Sequence, residues 1–248
     1  MELHDYGDKA ENICVWPNFR PTALVFGVEL EVEPRGHSSQ RAVLGALPDH
    51  AANDYFCKDD GSLQAGVEIV TVPGSLTWHR TAFDWPGLLA PLLPIAMSGS
   101  RTQRCGMHIH INRRAMTALT LAKLYLFINA PENLAFMETV AQRRNSHWAV
   151  MRKKAWKDAT SREAMQESGG RYQAMNVTRH TAELRLFRCT IRAERVLKNI
   201  EMAHAMVTWC GQSSAQSMQD WRKFAAYVTM STDYPNLAAF MQETGVYA

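Results

Sequence analysis

Cysteine is scarce and scattered in this chain: Cys14, Cys57, Cys105, Cys189 and Cys210 stand singly among 248 residues, with no CxxC pair and an odd total. That usage argues against a disulfide framework and fits free thiols in a reducing compartment. Long apolar runs are missing as well. No window reaches the ~18 apolar residues of a membrane span, and the opening MELHDYGDKAENICVW lacks the basic flank and continuous apolar stretch of a signal peptide. The expectation is a cytoplasmic protein with no membrane partner. Nor is one sign of charge in excess. Lys plus Arg number 27 against 24 for Asp plus Glu, and a net +3 is too small to make nucleic acid the main partner, so any basic patch is local. Repeats, low-complexity tracts and long linkers are absent too. A composition of 46% hydrophobic and 21% charged residues is that of a globular chain. The reading is one domain over 1–248, with an irregular arm over 1–20 and helices over 190–248.

What is present is a series of short strands with clean apolar faces. Residues 23–32 (ALVFGVELEV), 66–72 and 105–112 (CGMHIHIN) read as strands, and AELRLFRC over 182–189 alternates strictly. Between the first two, Pro34, Gly36, Pro48, Asn53, Asp59, Asp60 and Gly61 predict loops around one short helix, Ser39 to Leu47. Pro86, Pro91 and Pro94 each lack an amide donor and break the apolar run 79–98 into helical pieces. Helical spacing returns over 116–142, where Pro131 is placed to open a second helix, and Thr160 with Glu163 forms a capping box. Val196, Ile200, Ala203, Val207 and Cys210 stripe a long amphipathic helix. The fold class predicted is α+β, a curved antiparallel sheet backed by helices.

Side chains alternate across a strand, so each strand has a polar face of its own. Glu29 and Glu31 lie opposite Val28, Leu30 and Val32; His108, His110 and Asn112 lie opposite Met107, Ile109 and Ile111; Glu183 and Arg185 lie opposite Leu184 and Leu186; Glu68 adds a fourth strand. Should these faces converge, each pair of carboxylates about 4 Å apart repels by roughly 4 kcal/mol at an effective dielectric of about 20, and cations are required. Carboxylates with an imidazole and no thiolate suit magnesium, with manganese as the alternative. Taken singly, each motif also has a plainer explanation. An ExE pair can be a solvated sheet face, HxH can be satisfied in a core, and Lys58-Asp59-Asp60-Gly61-Ser62 reads as a turn.

The ordered set GVELE, KDDGS, GVEIVTVP, CGMHIHIN, RYQAMNV and AELRLFRCT, spanning residues 25–190, resembles the amidoligase family. That family is similar to glutamine synthetase and the glutamate-cysteine ligases, whose curved antiparallel sheet forms a funnel for ATP, metals and substrate. The resemblance implies an ATP-dependent carboxylate–amine ligase that makes an amide through an acyl phosphate. By the same resemblance Glu29, Glu31, Glu68, His108 and Glu183 are metal ligands, with His110 in reserve. Asp60 contacts metal or amine, Arg185 neutralises the transferring phosphate with Arg171 or Arg188 assisting, and Lys58 joins Arg185 and Arg188 at the nucleotide. On a regular strand Arg188 points away from Arg185. The resemblance leaves the carboxylate and amine open: an amino acid, peptide, protein side chain or modified nucleobase would each serve. Related ligases are often homo-oligomers.

Two other functions stay in view. A phosphotransferase could use the same metals and stop at phosphoryl transfer. A non-catalytic nucleic-acid-binding module could use the basic stretch 143–162, where Arg143, Arg144, Arg152, Lys153, Lys154, Lys157 and Arg162 face only Asp158 and enclose Trp148 and Trp156. That stretch also reads as a solvated helix face or a lid over ATP.

Overall fold

The computed structural model describes residues 2–8, 13–14, 17–48, 54–99, 104–144, 149–151, 159 and 172–247. Arg171, the Thr160–Glu163 capping box and the basic residues 152–158 and 162 lie outside them. The chain divides into two compact units: 1–20, 25–109 and 188–196 in the first, and 21–24, 110–187 and 197–248 in the second.

In the first unit, strand β2 (Phe26–Pro34) buries Val28, Leu30 and Val32 completely and turns Glu29, Glu31 and Glu33 to the other face. Its partner β4 (Val67–Thr71) runs antiparallel, setting Leu30 opposite Ile69 and Val32 opposite Val67, so the apolar faces coincide. β3 (Tyr55–Lys58) pairs antiparallel with β4, and β5 (Ala96–Met97) does so with the end of β2. The arm expected to be irregular contributes β1 (Leu3–His4), parallel to β3. Two residues carry too little pattern to be read as a strand. With β6 (Gly106–Asn112), which enters this unit through its first four residues, the order is β1-β3-β4-β2-β6. In the second unit β6 is followed by β8 (Thr181–Arg188) and β7 (Met175–Val177), the last two antiparallel. The eight strands form a sheet that is open and mostly antiparallel, and with the helices the fold is α+β as expected.

Each helix of the first unit is short and begins on a side-chain N-cap. α1 (Gln40–Ala46) starts on Ser39, whose hydroxyl accepts from Ala42, and packs on β2 and β4. α2 (Leu76–Thr81) starts on Ser75 and α3 (Trp85–Leu89) on Asp84, with Pro86 in its first turn. Each cap contributes about 1 kcal/mol. The broken helix predicted over 79–98 is the end of α2, then α3 and a 3-10 turn over Ala90–Leu92, but its last residues, Ala96–Met97, are strand β5 instead.

In the second unit α4 (Ala118–Asn129) and α5 (Leu134–Ala141) flank the Pro131 turn, and α6 (Ala193–Gln212), α7 (Trp221–Thr229) and α8 (Pro235–Glu243) follow, with α6 beginning in the first unit. Three buried charges answer helix ends there. Lys123 donates to the carbonyls of Cys210 (3.1 Å) and Ser213 (2.6 Å) at the close of α6. Lys198 donates to the Val140 carbonyl in the last turn of α5 and lies over the Phe240 ring at 4.6 Å. Glu201 accepts from the Leu237 amide (2.8 Å) and the Asn236 side chain (2.7 Å) where α8 begins. Cations at C-termini and an anion at an N-terminus match the helix dipole, which reduces the cost of burying them. Among the described residues no helix is long and apolar enough to cross a membrane.

Candidate metal centre

The antiparallel register places Glu31 of β2 directly opposite Glu68 of β4, and Glu68 directly opposite Lys58 of β3. Facing residues on such a pair have Cβ atoms roughly 5 Å apart, so the two carboxylates are held together by backbone hydrogen bonding whatever their charge. Both are 5% exposed. Glu29, two residues along the same face, hydrogen-bonds the Glu68 side chain. Burial, then the neighbouring Glu29, and then Asp60 and Glu31 push the Glu68 carboxyl well above the usual carboxylate range. Four acids thus crowd one face of the first unit.

The histidine of this face is His108 on β6. Its Nδ1 lies 3.2 Å from Glu29 Oε2 and its Nε2 lies 3.6 Å from Glu31 Oε1, with the ring 4% exposed. The Gly106 amide, one step earlier on the same side of β6, donates to Glu31 Oε2. β6 therefore orients Glu31 from its backbone and both glutamates through one ring. Carboxylate oxygens and an imidazole, with no thiolate among them, are the donor set of a hard divalent cation.

Asp60 belongs to this group by charge and to a turn by hydrogen bonding. Its side chain accepts from the Ser62 amide at 2.8 Å and its carbonyl from the Leu63 amide at 3.0 Å. Lys58 turns its ammonium over the ring of Tyr6, 5.2 Å from the centroid. Tyr6 is exposed and comes from the turn after β1, so the arm supplies a neighbour to the KDDGS segment that no periodicity announces.

In the second unit Glu183 is again 5% exposed. It accepts from Arg185 Nη1 at 2.5 Å and from Asn176, its cross-strand partner on β7, at 2.9 Å. Arg143 donates to the Arg185 carbonyl at 3.1 Å. Arg185 Nε is buried and has no hydrogen-bond partner among the described residues. His110 is half-buried. Arg188, assigned with the first unit, runs across Gly99, where an added Cβ would come 2.5 Å from its Cγ; burial and then Arg195 lower its pKa. Its three-residue offset from Arg185 puts it on the opposite face of β8. All five cysteines are buried. Burial pushes the Cys57 thiol up to about 12 and Cys105, Cys189 and Cys210 further, leaving none of these four as a thiolate nucleophile.

Three further residues complete the first-unit site without having been singled out by motif. Glu33 continues the face of Glu29 and Glu31 and is 2% exposed. It receives Arg104 Nε at 3.2 Å and the Gln64 amide at 2.9 Å, while Arg104 Nη2 donates to Gln64 Oε1 at 3.1 Å. Glu33 lies one residue past the strand end expected at residue 32, on the face that the period-2 pattern of Glu29 and Glu31 continues. No protein-family model and no curated protein matches the chain.

Proposed function

We propose that the chain is an ATP-dependent ligase joining a carboxylate to an amine, on a glutamine synthetase-like funnel of which the acidic face of β2, β4 and β6 is the metal-holding part. The observation that carries the reading is Glu29 and Glu31 at the two nitrogens of His108, with Glu68 paired across the strands to Glu31. Magnesium or manganese suits these donor types, with Glu29 and Nδ1 of His108 as one pair of holders, while Glu31 approaches the other ring nitrogen. When bound, the ion would neutralise phosphate oxygens and so make the γ-phosphorus easier to attack.

The protein's own residues supply position and charge. Gly106 and the His108 ring fix the carboxylates of Glu31 and Glu29 in advance of ligand. Arg185, held on one side by Glu183, keeps the role the resemblance gives it, a planar donor set that offsets charge on the transferring phosphoryl group. A substrate carboxylate oxygen attacks the γ-phosphorus and the bond to ADP breaks, giving an acyl phosphate. The amine nitrogen, its N–H held by Asp60, attacks the acyl carbon; the bond to phosphate breaks, and the amine proton leaves with phosphate or solvent. No serine or cysteine nucleophile takes part, in keeping with the buried thiols. An amino acid, a peptide, a protein side chain or a modified nucleobase would each satisfy this chemistry.

The test is calorimetric titration of ATP into the protein with magnesium and then with chelator, for wild type and Glu29→Ala. Magnesium-dependent binding that the variant loses supports the reading and opens a search for carboxylate and amine pairs by ADP release. ADP without amide would identify a phosphotransferase instead. Absence of ATP binding by folded wild type would remove the proposal.

A further inference from the structure

Glu29, Glu31 and Glu33 share one face of β2, yet only the first two meet the imidazole, while Glu33 is buried against a guanidinium. The Arg104 pair is part of a closed triangle: Arg104 Nε on Glu33 (3.2 Å), the Gln64 amide on the same Glu33 oxygen (2.9 Å), and Arg104 Nη2 on the Gln64 side chain (3.1 Å). Gln64 stands in the segment 59–66 that begins at Asp59 and Asp60. Both ends of that segment are tied by a single side chain of α1, because Gln40 Nε2 donates to the Gly66 carbonyl (2.8 Å) and reaches Asp59 Oδ1 (3.4 Å). The far end is closed tightly onto β2. Ala65 is held at φ 54°, and a Cβ on Gly66 would lie 2.8 Å from the Val32 carbonyl oxygen. A residue other than glycine at positive φ persists only where its surroundings hold it there.

We propose that Glu33 and Arg104 are positioning residues: paired with each other, they clamp Gln64 and so fix the 59–66 turn that carries Asp60, while Glu33 itself stays out of the ligand set. The proposal rests on the reading of that face as a divalent-cation site. It separates two roles that adjoining carboxylates of one strand would otherwise share. Glu29 and Glu31 face the imidazole of His108, and Glu33 faces the guanidinium of Arg104. Groups that orient ligands from behind typically change metal affinity by about 10- to 100-fold when removed.

The experiment uses Mn2+ alone as the probe, with free ion counted by electron paramagnetic resonance, on wild type, Glu33→Gln, Arg104→Met, Asp60→Asn and the Arg104→Met/Asp60→Asn double variant. Arg104 has a side chain 45% exposed, so its removal leaves the core intact, and a thermal melt verifies folding of each variant. Both Glu33→Gln and Arg104→Met are expected to weaken Mn2+ binding by about tenfold. The double variant is expected to bind no more weakly than Asp60→Asn alone, since the clamp acts through Asp60. Hydrogen exchange at the Gln64 amide should quicken in Arg104→Met.

Tighter Mn2+ binding by Arg104→Met would mean that a released Glu33 joins the ligands, which overturns the positioning role. Additive losses in the double variant, unchanged affinity, or an amide that exchanges as slowly as in wild type overturn it too, and all three leave the cation site standing. A folded wild type that takes up no Mn2+ removes the cation reading and this proposal with it.

Discussion

His79 should make the first unit sensitive to mild acid. The residue is fully buried in α2, its Nε2 lies 2.9 Å from the Phe26 carbonyl oxygen, and its ring stacks on Trp85 with centroids 5.9 Å apart. To bond a carbonyl, Nε2 must carry the proton, which leaves Nδ1 bare; Nδ1 has no hydrogen-bond partner among the described residues. A second proton would go to that atom, in an apolar surround with nothing to receive it. Burial accordingly lowers the pKa from 6.5 to about 4, the Phe26 carbonyl offsetting part of the shift. The folded-state value lies below the unfolded one. Between the two the unfolded chain therefore binds more protons, and stability falls as pH drops from 6.5 towards about 4. With these values the loss at about pH 5, relative to about pH 8, is about 2 kcal/mol. The assay is urea denaturation followed by tryptophan fluorescence across this range, wild type against His79→Phe, which keeps a ring and cannot titrate. The Phe26 hydrogen bond is lost at every pH, so it offsets the variant's curve without tilting it. The acids of the sheet titrate in both proteins and cancel in the difference. Parallel stability curves for the two proteins would refute the argument.

Two further perturbations address the helices and the thiols, beside the Glu29→Ala and Arg104→Met experiments above. Glu201→Ala removes the acceptor of the Leu237 amide and the Asn236 side chain, both at the start of α8, and should cost about 3 kcal/mol in denaturant unfolding, since hydrogen bonds to charged groups contribute about 1.5–3 kcal/mol each; a loss well under 1 kcal/mol would contradict the capping role. Because all five cysteines are buried and free, a thiol reagent at neutral pH should react slowly with the native protein and find five equivalents in denaturant, whereas rapid native labelling would contradict that burial.

The parts of the fold legible in the sequence are those in which one face is cleanly apolar. β2, β4, β6 and β8 each show the alternation that burial on one side imposes, and their observed bounds, Phe26–Pro34, Val67–Thr71, Gly106–Asn112 and Thr181–Arg188, fall within a few residues of the pattern. β1, β3, β5 and β7 are two to four residues long, too short for a period to be read, and β3 sits among turn formers. Pro34 marks the limit of the method. It lacks an amide and so reads as a terminator, yet it pairs with Ala96 of β5 as the last residue of β2, and the strand it extends brings Glu33 into the site. Arg104 and Gln64 were illegible for a different reason. Each lies in a loop and has its role through contacts 31 and 40 residues away in sequence, which no local pattern encodes.

The buried charges of the second unit have a consequence for how its helices can change. An apolar stripe tolerates axial sliding, because one buried methyl is much like the next. Lys123, Lys198 and Glu201 each meet the terminal groups of another helix, and a shift of one residue moves those groups by about 1.5 Å, beyond hydrogen-bond reach for most geometries. These side chains act as end stops that fix where α5, α6 and α8 finish or start. Substitutions that exchange one apolar residue for another should thus be absorbed by local repacking, while a single residue added within any of the three helices would leave a charge buried without its partner. Length, more than composition, is what this helical layer holds constant.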